Sequence, residues 1–209
     1  MPPSASLRLA LAYLSYMVKR DWKKIIICNI LYFGVFAASS VLVGLYAMEL
    51  HEELMRTIIE ELRRDPILST AVRTYFAKKT IEAFLITLAV NTLLGALATV
   101  TLPGLIFMTI PSALCRAALW GVMLPVTARK YYLALPTLVL EGEGYALAMV
   151  PGLNLSIAVL KPDRYGAGSR WSAVKNALRE TLIYYILVVA VLAVAALVEV
   201  ATVLSLVSP

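Results

Sequence analysis

The chain has 209 residues, of which 61% are hydrophobic and 15% charged, with a mean hydropathy of +0.82 and a net charge of +6. That balance excludes an ordinary water-soluble domain and points to a single integral membrane domain over residues 1–209, with the lipid bilayer as its first partner. The positive charge does not signal nucleic acid, because the basic residues cluster at the ends of apolar runs, where they orient spans against anionic lipid.

In chain order, residues 1–24 read as an interfacial amphipathic helix. Leu7, Leu9, Leu11, Leu14 and Met17 lie among polar positions, and the segment ends in KRDWKK with Trp22 at headgroup depth. No small-residue cleavage site closely follows the long apolar stretch that begins near Ile25, so that stretch is expected to be retained as a first span over about 25–48. Its Gly34, Ala37, Ala38, Ser39, Ser40 and Gly44 offer a surface that another helix could approach closely. Residues 49–79 predict an extracytoplasmic helical pair, the first member stopped by Pro66. Acidic residues there stand three and four places before basic ones, as Glu60 does before Arg63 and Arg64, which gives a salt-paired solvated face; the alternative is a face that docks a protein partner.

A second span is expected over about 81–102, closed by Pro103-Gly104, and a third over about 105–126, carrying Pro111 and Arg116. The apolar stretch 131–160 is too long for one untilted span. Pro136, Gly142, Gly144, Pro151 and Gly152 interrupt it, so a broken helix near 141–152 or a re-entrant section is expected. A basic segment at 161–180, its second half a short interfacial helix, precedes a last span over about 181–207. The expected architecture is an all-α polytopic membrane helix bundle of about five transmembrane helices.

Charge sets the expected orientation. Residues 1–24 carry five basic side chains and one acidic, 161–180 carry five and two, and 49–82 carry six and seven. By the positive-inside rule the chain is a multi-pass protein of the cell membrane with its N-terminus cytoplasmic and the 49–79 pair outside. Arg129-Lys130 would then face outward, against that rule.

Four charged residues remain at predicted membrane depth: Arg116, Glu141, Glu143 and Glu199. Each costs on the order of 2.5 to 3.5 kcal/mol on insertion scales, so each is expected to face protein or water and to be paired or protonated. Asn91 and Asn154 add uncharged hydrogen-bonding groups. In a structural reading, Arg116 pairs with Glu141 or Glu143, and Asn91 and Glu199 complete a network that fixes helix register. In a functional reading, the carboxylates line a path for a cation or proton. An intramembrane enzyme is not expected: no nucleophile with a base and no metal-ligand cluster lies at that depth, and Glu141 and Glu143 would point about 200° apart on a helix. Cys28 and Cys115 read as packing residues, HEE at 51–53 is not a zinc motif, and no cofactor or metal is expected. Glutamine is absent and asparagine occurs at four positions only, a composition expected of a heat-adapted chain.

These polar positions resemble the stage II sporulation protein M family. There an asparagine-containing span is followed by an LPHG-x-x-E-x-x-A type segment, a glycine-leucine pair and an alanine-rich A-A-x-x-E-A close. Here Asn91 lies in VNTLLGAL, Leu135-Pro136 precedes Glu141 at the matching spacing, PGLNL follows at 151–155, and AALVEVAT places Glu199. The likeness covers roughly residues 80 to 205. Thr137 and Leu138 replace the family's histidine and glycine, and Trp120 precedes Gly121 where asparagine is common. The resemblance implies an integral membrane organiser, since the namesake recruits cell-wall-remodelling hydrolases. The expected function is therefore a non-catalytic scaffold subunit of a membrane complex, with protein partners reached through 49–79. The alternative is a small transporter or channel, formed as a homo-oligomer, that uses the intramembrane carboxylates.

Overall fold

The computed structural model describes residues 5–64, 66–127, 129–165 and 168–207. Helix α1 spans Ala5–Tyr46, α2 Met48–Arg64, α3 Pro66–Phe76, α4 Thr80–Ile106, α5 Thr109–Met123, α6 Leu135–Leu160 and α7 Arg170–Val207. Short 3-10 turns at Arg129–Ala134 and Pro162–Tyr165 join the later helices, and no strand occurs among the described residues.

Four helical stretches are long and apolar enough to cross a membrane: Leu11–Tyr46, Thr80–Ile106, Tyr132–Leu160 and Arg170–Ser205. This fits an integral membrane protein. The expected third span shortens to α5, whose 15 residues rise only about 22 Å against a hydrocarbon core of roughly 30 Å. The lateral surface agrees with a lipid environment: Ile26, Ile30, Leu42, Leu85, Leu94, Leu119, Leu182 and Leu197 all face outward.

Helix α6 is the axis of the bundle. Every residue from Gly144 to Gly152 is buried, and Tyr145 and Met149 pack among Tyr32 of α1, Ala96 and Val100 of α4, Ala113 and Ala117 of α5, and Tyr184, Val188 and Leu192 of α7. The expected break near 141–152 is absent, since α6 continues through EGEG and contains Pro151. Its glycines serve close approach: Gly142 lies against Tyr32 and Phe33, Gly144 against Leu192, and Gly152 against Thr109 and the backbone of Thr101.

The irregular helix is α4. It leaves α-helical hydrogen bonding at Val90, runs as a π-helix over Val90–Thr101 and tightens to a 3-10 helix over Leu102–Ile106. Phe107, in the left-handed region at φ 64°, turns the chain into α5. Two further expectations change. No break separates residues 5–24 from the first span, and the inward face of that segment is packed, with Met17 and Asp21 0% and 2% exposed. Likewise α7 begins at Arg170 and contains both the expected interfacial helix and the last span. Residues 1–4 of the N-terminal segment lie outside the described residues.

Helices α2 and α3 form a pair on either side of Asp65, which lies outside the described residues. It caps one end of the bundle, here termed the hairpin end. His51 of α2 is buried with Nδ1 3.0 Å from the Val122 carbonyl of α5, so this residue of a polar segment faces the bundle. The outer face of α2 is charged and solvated, with Glu61 and Arg64 3.8 Å apart. The opposite, basic end gathers Arg20, Lys24, Arg164 and Arg179. The side chains of Arg129 and Lys130 lie outside the described residues.

Candidate functional site: a buried polar string

Because α4 and α6 run in the same direction, Asn91 and Gly95 face Glu141 and Tyr145 across one seam. The π-helical stretch holds both α4 residues. Asn91 Nδ2 donates to Glu141 Oε1 at 2.6 Å, and Tyr145 donates its hydroxyl to Asn91 Oδ1 at 3.1 Å. Arg116 of α5 donates from Nη2 to the Tyr145 hydroxyl at 2.8 Å and lies 4.0 Å over the same ring. Gly95 leaves room for this, since a Cβ there would stand 2.9 Å from the Tyr145 ring and 3.1 Å from Arg116 Nη2.

Arg116 thus contacts neither glutamate directly, in contrast to the pairing expected from the sequence. Its charge rests on the π faces of Tyr145 and, at 6.0 Å, Trp120, and it reaches Glu141 only through Tyr145 and Asn91. The physical reason is register: Tyr145 follows Glu141 by four residues on the same face of α6, and its ring and hydroxyl take up the guanidinium.

Glu141, 4% exposed, lies beside the carboxyl group of Glu199 from α7. Tyr75 of α3 donates to Glu199 Oε1 at 3.1 Å and stands 2.7 Å from the Thr87 hydroxyl of α4. Burial, and next the charge of Glu199, push the Tyr75 phenol above its ordinary range, so it remains a donor. The result is a continuous string, Arg116, Tyr145, Asn91, Glu141, Glu199 and Tyr75. It ties α3, α4, α5, α6 and α7 together.

Of the residues expected at the site, Asn91, Arg116, Glu141 and Glu199 join this string. Glu143 does not. It lies on another face of α6, half-buried toward α1, where Asn29 Nδ2 is 3.4 Å from its Oε1. Tyr145 and Tyr75 were not legible as members, because a tyrosine in an apolar helix carries no mark of its hydrogen-bond partner.

A second polar cluster lies at the basic end. Arg20 Nη1 and Nη2 reach Glu180 Oε1 and Oε2 at 2.9 and 2.8 Å, a two-pronged pair between α1 and α7. Asp21 accepts from Arg20, from Lys24 at 2.8 Å and from Asn154 Nδ2 at 3.1 Å. Tyr165 donates to the Asn154 carbonyl at 3.2 Å, and burial, with Glu180 next, pushes its phenol up to about 12. These groups line a cavity of about 580 Å³ that also includes Tyr13, Arg164, Asn176 and Arg179. One signal for it was present in the sequence: Asp21 is the only acid among five basic residues in 1–24.

No family model matches the chain, and no curated protein and no solved structure is significantly similar to it.

Proposed function

We propose that this protein is a non-catalytic organiser, a scaffold subunit of a complex in the cell membrane, whose α2–α3 hairpin presents the surface met by a protein partner. The observation that carries this reading is the polar string that joins the helices. Glu141 is buried, accepts from Asn91 and lies beside Glu199, and the string ends on Tyr75, which fastens the hairpin to the bundle. Side chains at membrane depth are thereby committed to holding helices in register and a polar platform in a fixed pose. The resemblance to the stage II sporulation protein M family points the same way and rests on Asn91, the Leu135-Pro136 to Glu141 spacing, PGLNL and Glu199 alone.

The topology that completes this proposal has five crossings, with the N-terminus cytoplasmic and the hairpin outside. The short α5 counts as the fifth. It runs parallel to α1, with Gly121 against the Phe36 carbonyl and Ser39, and the Val126 amide donating to the Ser40 carbonyl at 3.2 Å. Charge reversal on the exposed face of α2, Glu53→Lys with Glu60→Lys, tests the platform. Partners that copurify with the intact membrane protein should be lost while its membrane level is unchanged. Retention of the same partners by the variant would remove the platform role.

A second reading is favoured by the closeness of the Glu141 and Glu199 carboxyl groups, which a proton-handling site would also show. In it the chain is a small oligomeric conduit for a proton or cation. It predicts flux in liposomes that Glu141→Gln changes.

A further inference from the structure

The cavity at the basic end has a charge balance that its own side chains do not close. Asp21 and Glu180 are both engaged: Asp21 by Arg20, Lys24 and Asn154, and Glu180 by both prongs of Arg20 and by Tyr13, whose hydroxyl is 3.2 Å away. Two cations, Arg20 and Lys24, thus balance two carboxylates. Arg164 and Arg179 line the same cavity, and neither has an acidic partner among the described residues. The lining therefore carries two uncompensated guanidinium groups, around a floor that a buried aspartate and a two-pronged ion pair hold rigid. Ile157 and Ile183 supply an apolar wall.

The depth of the cavity identifies what would enter it. Trp22 and Trp171, 51% and 66% exposed, flank this end, with Lys23 and Lys175 5.6 and 5.3 Å over their rings. Exposed tryptophans and lysines at the end of long apolar helices mark the headgroup layer. A fork of guanidinium donors suits the oxygens of a phosphate, and a cavity of this size holds a headgroup with the start of its glycerol.

We propose that this cavity is a binding site for the phosphate group of an anionic phospholipid, held by Arg164 and Arg179 with the Tyr165 and Asn176 side chains at its rim. The lipid is bound between α1, the 162–165 turn and α7, and so clamps the N-terminal part of α1 to the start of α7. This inference does not depend on the organiser role, which concerns the other end of the molecule.

The test is a titration of the detergent-solubilised full chain with phosphatidylglycerol, phosphatidylcholine or inorganic phosphate, read as Tm. Phosphatidylglycerol should raise Tm saturably and phosphatidylcholine should not. Arg164→Gln with Arg179→Gln should raise the half-saturating concentration roughly tenfold or more while leaving the lipid-free Tm unchanged, because two charge-assisted contacts are lost. Lys19→Gln with Lys161→Gln removes equal charge from the same end outside the cavity and should leave the titration unchanged. Equal response to both lipids, equal loss in the two variants, or no loss in the arginine variant would overturn the proposal. Full reproduction of the shift by inorganic phosphate would assign the cavity to a soluble phosphate and overturn the lipid.

Discussion

Asn91 uses both ends of its amide within the string, donating to Glu141 and accepting from Tyr145. Replacing it with alanine leaves two buried polar groups without that partner, and each such loss costs about 1–3 kcal/mol. Asn91→Ala should therefore lower Tm in detergent clearly. Arg116→Met should lower it less, because Arg116 gives up one hydrogen bond to a neutral hydroxyl and its ring contacts but leaves no carboxylate unpaired. A larger loss for Arg116→Met would mean that the guanidinium pairs with a glutamate directly. Gly95→Ala should also destabilise, by about 1–3 kcal/mol, since its methyl group would press on Tyr145 and Arg116. At this scale the sequence is informative about cost and poor about partners. Polar side chains in apolar runs single out Asn91, Arg116, Glu141, Glu143 and Glu199, because insertion cost follows residue type and depth, both readable from the sequence. Which of them touch depends on helix register, which tyrosines such as Tyr75 and Tyr145 settle without any sign in the sequence.

Two elements carry the account, the hairpin and α4. Tyr75 is the link by which α3 grips Glu199 and Thr87, so Tyr75→Phe should raise hydrogen exchange in the Pro66–Phe76 helix while leaving the core of α6 protected. Unchanged exchange in α3 would mean that the hairpin is held by other contacts, such as His51 with the Val122 carbonyl. The hairpin was readable from Pro66 and from the helical spacing of Leu50, Leu54, Ile58 and Leu62 among charges. The irregular helix was placed wrongly. Glycines and Pro151 in α6 suggest a break, yet small residues there meet neighbouring helices, and the helix runs on past Pro151, which lacks only its own rung of the ladder. The π-helical stretch of α4 falls in VNTLLGALATVT, which has no proline and only one glycine. Its signal is tertiary, the fit of Asn91 and Gly95 to Tyr145 and Glu141.

For the whole molecule, an apolar flank with a charged hairpin at one end and a basic cavity at the other fits the membrane helix bundle that composition indicates. Composition was insufficient to count its crossings, because α5 is shorter than a standard span and α1 and α7 are longer. The proposed orientation predicts that single cysteines placed at Glu53 and at Lys161, in a chain lacking Cys28 and Cys115, react with an impermeant thiol reagent from opposite sides of sealed cells or vesicles. Labelling of both from one side would refute the topology. In the proposed organiser, Glu141, Asn91 and Glu199 form a lock between helices and line no path. Ion and proton flux through liposomes containing the purified protein tests that claim most directly. Flux equal to that of empty liposomes is expected for the unmodified chain across proton and monovalent-cation gradients. Flux above that background, abolished by Glu141→Gln, would contradict it.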